Sequence, residues 1–115
     1  MVDCLFCKLV AGEIPARIVK RTDDAVAFHD IDPQAPVHVL VIPTAHVPAV
    51  RDARGAEGKA MLGRLLQFSA EVAGELGLNE RGYRVVTNTG RDAAQSVDHL
   101  HFHVLGGRKL GWPPG

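Results

Sequence analysis

The sequence has little of what marks several specialised classes of protein. Its 13 Lys and Arg residues balance 13 Asp and Glu residues, so the net charge is zero, and like charges are not grouped in blocks. This excludes the basic footprint that is typical of nucleic-acid-binding proteins. No apolar run approaches the roughly 18 residues of a membrane span, and the N-terminus lacks the basic start and long apolar centre of a signal peptide. We therefore expect a cytoplasmic protein with no nucleic-acid or membrane partner.

Cysteine is equally sparse, with only Cys4 and Cys7, spaced as C-x-x-C. In a reducing cytosol this spacing favours half of a metal site or a redox pair over a structural disulfide. The sequence also lacks internal repeats, low-complexity segments and interdomain linkers. A length of 115 residues with 46% apolar content suits one compact domain with its own core, so we expect a single domain over residues 1–115.

What is present is a pattern of two helices and five strands. A short helix is predicted at 4–12 and a long one at 57–76, where apolar residues recur at helical spacing and Gly77 is a candidate C-cap. Period-two alternation and turn residues predict strands at 17–20, 25–29, 37–42, 83–88 and 99–105. Since hairpins make most connections, we expect an α+β fold, in which a five-stranded antiparallel sheet carries the helices on one face. The C-terminal Trp-Pro-Pro-Gly is expected to form an extended tail.

The last predicted strand carries three histidines at alternate positions, His99, His101 and His103. Because side chains alternate across a strand, the three imidazoles should share one face, and the intervening apolar residues should enter the core. His38 alternates in the same way in its own strand and would join them if the two strands are neighbours. Near neutral pH an imidazole can act as nucleophile, general acid or general base, and attack on phosphorus would give a labile N–P bond. A solvated sheet face and a metal-binding patch are the alternatives.

The pattern His-x-His-x-His followed by two apolar residues resembles the signature of the histidine-triad (HIT) superfamily. More of the sequence is similar to that family, in particular to its Hint branch of adenosine phosphoramidases. The similar segments are FHDIDPQAP at 28–36, His38, VIP at 41–43, His46, QSV at 95–97, LGGR at 105–108 and WPPG at 112–115. The resemblance implies an enzyme that hydrolyses a purine nucleoside phosphoramidate through a covalent nucleotidyl intermediate on His101 and releases AMP or GMP. No cofactor is needed for such chemistry.

The resemblance also implies a role for each residue of the site. His101 would be the nucleophile, His103 would bind the phosphate oxygens, and His38 would help to orient His101. Ser96 would lie near the scissile bond. Asp30 would accept hydrogen bonds from the ribose, and the amide of Asn88 would contact the phosphate. An apolar slot for the base would be formed by Phe6, Leu9, Ile14, Phe28 and Ile31. Each has a structural alternative, as a core residue for the apolar set and as a turn or cap residue for the polar ones.

A metal site is implied by the same resemblance. In some members of the superfamily a structural zinc ion is bound at the positions of Cys4, Cys7, His46 and His99. Two sulfur and two nitrogen donors suit tetrahedral Zn²⁺. The alternatives are free buried thiols and a redox pair.

The resemblance implies a homodimer in which two sheets join edge to edge, an arrangement that removes open strand edges. The tail at 108–115 would place Trp112 near the partner's active site; the alternative is that Trp112 packs on its own surface. The sequence departs from the Hint pattern at Asp98, which by alternation should face away from the histidines. It also departs at 93–94 and at Gly111, which lie on the side of the leaving group. The alternative functions are a dinucleoside polyphosphate hydrolase of the same superfamily, a nucleotide-binding regulatory module, and a metal buffer that uses His101 and His103.

Overall fold

A computed structural model describes residues 3–115. It contains two α-helices, a short 3₁₀ turn and five strands. The helices are α1 (Leu5–Val10) and α2 (Gly55–Glu75), and the 3₁₀ turn spans Val50–Asp52. The strands are β1 (Ile18–Arg21), β2 (Ala25–His29), β3 (Val37–Pro43), β4 (Tyr83–Val86) and β5 (Phe102–Gly106). All five strands form one antiparallel sheet in the order β1-β2-β3-β5-β4, so the predicted α+β fold is confirmed.

Both helices end in the same backbone motif. Gly77 follows α2 with φ +78°, and the N–H of Leu78 donates to the carbonyl of Ala73 while that of Gly77 donates to Gly74. These are the two hydrogen bonds of a Schellman cap, which requires a left-handed residue and therefore favours glycine. Gly12 ends α1 in the same way, with φ +77°. The predicted cap at Gly77 is confirmed, and α1 stops earlier than expected.

The two helices lie on opposite faces of the sheet. One core joins α2 to the inward residues of the strands, among them Val39, Val41 and Val104. A second, smaller core joins α1 to the other face of the sheet; its buried members are Cys4, Phe6, Leu9, Val26, Phe28, Leu40 and Ile42. The expectation that both helices cover one face is therefore wrong. Because β3 is apolar on both faces, it can be buried under a helix on each side.

The central strands bring the histidines together. β3 pairs with β5, and Leu40 lies opposite His103 in this ladder. β5 begins at Phe102, three residues later than predicted, because the preceding segment bonds to a loop: the N–H of Leu100 donates to the carbonyl of Val47 at 2.6 Å. None of the helices within residues 3–115 is long and apolar enough to cross a bilayer.

Candidate active site and metal centre

His99, His101 and His103 alternate as predicted, although of these three only His103 belongs to a strand. Leu100, Phe102 and Val104 are buried in the core under α2. The imidazoles of His99 and His101 point to the opposite face, where both rings meet the ring of Phe6 edge-on, at centroid distances of 5.9 and 5.3 Å. His101 is 5.1 Å from His103, again between ring centroids.

The protonation pattern of His101 follows from one backbone contact. Its Nδ1 lies 2.8 Å from the carbonyl oxygen of His99. A carbonyl oxygen only accepts, so Nδ1 must carry the proton. In the neutral ring the lone pair is then on Nε2, the atom that a nucleophilic imidazole uses. The ring is only 3% exposed, and this bond holds it in one orientation.

The structure bonds His38 to His103 rather than to His101. The backbone N–H of Gln34 donates to Nδ1 of His38 at 3.0 Å, so the proton of the neutral His38 ring is on Nε2. That Nε2 lies 2.8 Å from Nδ1 of His103 and donates to it. The proton of His103 is therefore on Nε2, which can donate to a further acceptor. That His38 helps to orient His101 stays a prediction; the direct hydrogen bond of the His101 ring is to the His99 carbonyl.

The hydrogen bonds that run from the Gln34 N–H through His38 to His103 form what we call the histidine relay. Both of its imidazole rings are neutral at neutral pH. Burial lowers the pKa of His103 to about 4, assisted by His101 and His38 and opposed by the carboxylate of Asp30. Burial also lowers the pKa of His38, against the opposing effect of Asp30 and Asp32. Desolvation thus outweighs the nearby carboxylates. The relay keeps its single donor direction because neither ring is charged.

Two groups of potential metal ligands lie near the site. They differ in whether their histidine nitrogens have a lone pair free for a metal ion. In the first group, the ligand atoms of Cys4, Cys7, His46 and His99 lie within 4.8 Å of one another. His99 donates from Nε2 to the carbonyl of Pro43 at 2.9 Å, so its Nδ1 lone pair faces the group. Such a bond to a backbone carbonyl is the usual orienting contact of a metal-ligating histidine.

The distances in the first group suit a tetrahedral metal. Nδ1 of His99 is 3.2 Å from Nδ1 of His46, and the sulfur of Cys4 is 3.3 Å away. The sulfur of Cys7 is 3.2 Å from His46 and 3.6 Å from His99. Zinc bond lengths of about 2.0–2.3 Å place tetrahedral ligands about 3.3–3.8 Å apart. The four predicted ligands therefore fit the ion with small adjustments.

The second group is Asp30, His38 and His103, whose ligand atoms also lie within 4.8 Å of one another. Here the Gln34 N–H occupies Nδ1 of His38, so Nε2 carries a proton and has no lone pair for a metal. His103 uses its Nδ1 lone pair to accept from His38. This group is a hydrogen-bonded relay, which argues against a metal buffer that depends on His103.

The predicted base slot is partly assembled around His101. Phe6 and Phe28 are both 5% exposed and meet edge-on at 5.6 Å, and Leu9 and Ile14 belong to the same cluster. Ile31 differs, since its side chain is fully exposed on the loop between β2 and β3. Four of the five predicted slot residues therefore pack in one cluster, and Ile31 lies outside it.

The predicted polar residues are placed less uniformly. Asp30 accepts from the N–H of Asp32 at 2.9 Å with one oxygen, and the other lies 3.4 Å from Nε2 of His38. Asn88 is half-buried, two residues beyond the end of β4. Ser96 is exposed and lines a cleft of about 410 Å³ beside Cys4. The structure gives Ser96 no contact with the histidine relay.

The tail runs back along β4. A guanidinium nitrogen of Arg84 donates to the carbonyl of Gly111 at 2.7 Å, and the guanidinium lies 5.9 Å from the centroid of the Trp112 ring. Trp112 is nevertheless 81% exposed. Its indole is thus anchored at one side and leaves most of its surface uncovered.

Four contributors to the site were not predicted from the sequence. They are Thr87, whose hydroxyl donates to the carbonyl of His101 at 2.9 Å, and the backbone groups of Gln34, Pro43 and His99. Thr87 lies within the strand predicted at 83–88 and just after the observed β4, and its position gave no chemical signal. Backbone groups carry no side-chain signal at all.

Comparison with known proteins agrees with this geometry. The family model described as HIT domain matches residues 11–110. The chain belongs to the HIT family. The purine nucleoside phosphoramidase of Escherichia coli K12 is 45% identical over 109 residues, which cover 95% of this chain and 91% of that protein. An uncharacterised HIT-like protein of Synechocystis is 48% identical and covers 98% of this chain and 97% of its own.

Solved structures of HIT proteins have the same fold. A HIT family hydrolase from Legionella pneumophila superposes with a TM-score of 0.94 at 43% identity, covering 98% of this chain and 100% of that one. The histidine triad nucleotide-binding protein from Candida albicans gives 0.82 at 34% identity, covering 98% and 85%. The predicted family is confirmed, and the HIT chain is a hydrolase.

Proposed function

We propose that this HIT hydrolase is a purine nucleoside phosphoramidase that acts through a covalent nucleotidyl intermediate on His101. The observation that supports this most strongly is the bond from Nδ1 of His101 to the His99 carbonyl, because it directs a lone pair on Nε2 away from the backbone. The name of the Escherichia coli relative supports the substrate class.

In the first step the Nε2 lone pair of His101 attacks phosphorus. The N–P bond to His101 forms, the P–N bond to the amine breaks, and the departing nitrogen takes up a proton from solvent. Ser96 is the group proposed to lie at that leaving nitrogen. In the second step water attacks phosphorus and releases a proton to solvent, the His101–P bond breaks, and the nucleoside monophosphate leaves. The imidazole is regenerated without a change in the redox state of any group.

His103 is proposed to bind the phosphate oxygens as charge develops on them. The relay from Gln34 through His38 supports this role, because it leaves the Nε2 proton of His103 as a donor. A positioned donor in a partly desolvated site stabilises a developing oxyanion more than the same bond does in water. Asn88 is proposed as a second phosphate contact.

The purine is proposed to bind against Phe6 and Phe28, with Leu9 and Ile14 behind them. A bound base would cover the exposed side chain of Ile31, and burying that apolar surface favours binding. Asp30 is proposed to accept from the ribose hydroxyls. A carboxylate has about four acceptor positions, so Asp30 can accept from the ribose and still keep its bond to the Asp32 N–H.

We further propose that Cys4, Cys7, His46 and His99 bind a structural zinc ion. The lone pair of His99 that faces the two thiols supports this assignment. The ion would tie α1 to the segment before β5 and would supply no step of the reaction. In that case His99 would have a structural role, and His101 and His103 would have catalytic roles.

A homodimer is proposed to form through a free edge of the sheet, with the tail at 108–115 reaching the partner. β4 pairs only with β5, so its other edge is open in the described chain, and an open edge favours pairing with another strand. The exposed indole of Trp112 beside β4 supports a contact with a partner.

The test is hydrolysis of a fluorogenic adenosine phosphoramidate, without added metal, by the wild type, His101→Ala and His29→Ala. His29 ends β2 and lies outside the proposed site, so it is the matched histidine control. We expect His101→Ala to lose at least about a hundredfold in kcat, as removal of a covalent nucleophile does, and His29→Ala to stay near wild type. Equal activity of His101→Ala and the wild type would show that His101 is not the nucleophile.

Two further arms separate the alternatives. A dinucleoside polyphosphate assayed in parallel should be turned over more slowly than the phosphoramidate, and the reverse order would favour the polyphosphate hydrolase. Expression of His101→Ala in a deletion strain tests the regulatory module, since rescue by the inactive variant would show that binding alone is the function.

A further inference from the structure

The loop between β2 and β3 is held by a residue that follows β5. Arg108 donates to the carbonyl oxygen of Gln34 from both Nε, at 3.2 Å, and Nη2, at 2.9 Å. Its remaining terminal nitrogen donates to the carbonyl of Lys109 at 3.1 Å. All three nitrogens of the guanidinium therefore bond to backbone oxygens, a planar fork that lysine cannot reproduce.

A second contact fixes the same loop from the same side. The α-carbon of Gly107 faces Pro36 so closely that an added Cβ would lie 2.9 Å from the Cβ of Pro36. Gly107 also has φ +90°, a conformation that other residues rarely adopt. The turn after β5 thus lies directly against the loop, and Arg108 reaches around to its Gln34 carbonyl.

Gln34, the residue that Arg108 holds, also determines which nitrogen of His38 carries the proton. Gln34 presents its carbonyl to Arg108 and its N–H to Nδ1 of His38. If Gln34 moves away, His38 loses the donor that keeps a proton off Nδ1. The ring is then free to carry that proton, either as the other tautomer or as the cation. In the other tautomer, Nε2 of His38 has no proton to donate to Nδ1 of His103, so His103 no longer keeps its own proton on Nε2. The cation keeps that donor but places a positive charge beside His103.

We propose that Arg108 is a positioning residue of the active site, which fixes Gln34 so that His38 and His103 stay in the tautomers that leave the Nε2 proton of His103 free for the substrate phosphate. This inference rests on the proposed function, because it takes the phosphate as the acceptor of that proton. Arg108 itself is exposed and lies outside both cores.

The titratable groups around His38 are two carboxylates and one imidazole. Asp30 approaches its Nε2 at 3.4 Å from the end of β2, and Asp32 of the loop also favours the protonated ring. The neighbour from β5 is His103, itself next to His101. With two carboxylates favouring a proton, the Gln34 N–H is the contact that opposes protonation at Nδ1.

The experiment compares Arg108→Met and Arg108→Lys with the control Arg64→Met. Arg64 is an exposed arginine of α2 whose nearest acid is Asp24 at 3.8 Å, so the control removes the same charge elsewhere. The first measurement is the tautomeric state of His38 and His103 by long-range ¹H–¹⁵N NMR of the unliganded protein. The second is the pH profile of kcat and KM for the phosphoramidate.

For Arg108→Met we expect the Nδ1 of His38 to become partly protonated. The net worth of one hydrogen bond predicts a fall in kcat of about twofold to tenfold near neutral pH, and a shift of the acid limb upward by about half to one pH unit. KM should stay within about twofold of wild type. Arg108→Lys should recover part of the kcat, and Arg64→Met should match the wild type in every readout.

Three results would overturn the proposal. They are unchanged tautomers in Arg108→Met, the same loss in Arg64→Met, and a rise in KM with unchanged kcat, which would make Arg108 a substrate contact. The NMR measurement needs no substrate, so it still decides the role of Arg108 if the wild type fails to hydrolyse the phosphoramidate. A dispersed spectrum of either Arg108 variant shows that the fold is intact.

Discussion

Replacing Thr87 by Val removes one hydrogen bond and little else. The hydroxyl of Thr87 donates to the carbonyl of His101 at 2.9 Å, and Val has nearly the same shape without the donor. His101 lies just before β5, so this bond ties the backbone of the proposed nucleophile to the segment that follows β4. The substitution therefore tests whether that tie keeps His101 in its reactive position.

The expected magnitude has a stability part and a catalytic part. Leaving a half-buried carbonyl without its donor costs about 1–2 kcal/mol. For 115 residues, each kcal/mol corresponds to about 4 °C in Tm, so Thr87→Val should melt about 4–8 °C lower. A shift of the His101 backbone by a fraction of an ångström misaligns Nε2, and we expect kcat to fall about tenfold with KM nearly unchanged.

The assay pairs thermal melting with phosphoramidate kinetics and uses two controls. Thr44→Val removes an equivalent bond, from a hydroxyl to the carbonyl of Asp23 at 2.8 Å, that is exposed and involves no residue of the relay. It should lower Tm slightly and leave kcat unchanged. Thr87→Ser keeps the donor and should keep most of the kcat. The reasoning is refuted if Thr87→Ser loses as much kcat as Thr87→Val, or if Thr44→Val loses as much.

Three further predictions follow from the protonation, the cysteine cluster and the tail. Because burial holds the pKa of His103 near 4 while the unfolded value is about 6.5, the unfolded chain binds more protons between these values. Stability should therefore be constant above pH 6.5 and fall as the pH drops toward 4, with a flatter acid slope in His103→Gln by chemical denaturation. If the cysteine cluster binds zinc, elemental analysis of the purified protein should find about one zinc ion per chain. Cys4→Ser should lose the ion and have a lower Tm than the wild type. After chelation of the metal, the two proteins should have the same Tm. If the chain dimerises through the sheet edge, sedimentation should give twice the chain mass, and a monomeric mass at micromolar concentration would contradict the dimer. Trp112→Ala should then change the preference for the leaving group more than it changes kcat for substrates with small amines.

Much of this fold was predictable because the signals are local. The strand at 25–29 was predicted with its observed bounds, and the Schellman glycine at 77 ends α2 as expected. The position of α1 was not predictable, since β3 is apolar on both faces and its pattern does not say which helix covers which face. The start of β5 was missed for a similar reason. His99 and His101 alternate like strand residues, but Leu100 between them bonds to a loop at Val47, and a loop partner leaves no periodic signal.

The site shows a sharper limit on what a sequence can reveal. A neutral imidazole has one donor and one acceptor nitrogen, so a single backbone partner decides what the other nitrogen offers. The carbonyl of Pro43 turns a lone pair of His99 toward the cysteines, and the carbonyl of His99 turns a lone pair of His101 outward. The N–H of Gln34, through His38, gives the outward nitrogen of His103 a proton.

Three identical side chains thereby present a lone pair to the cysteines, an outward lone pair and an outward proton, by geometry alone. The sequence shows the imidazoles at their spacing, but every residue type provides the same backbone carbonyl and, proline apart, the same N–H. The side chains that place those backbone groups, such as Thr87 and Arg108, therefore influence the chemistry without touching a reacting atom. Substitutions at such positions should alter kcat and its pH dependence more than substrate affinity.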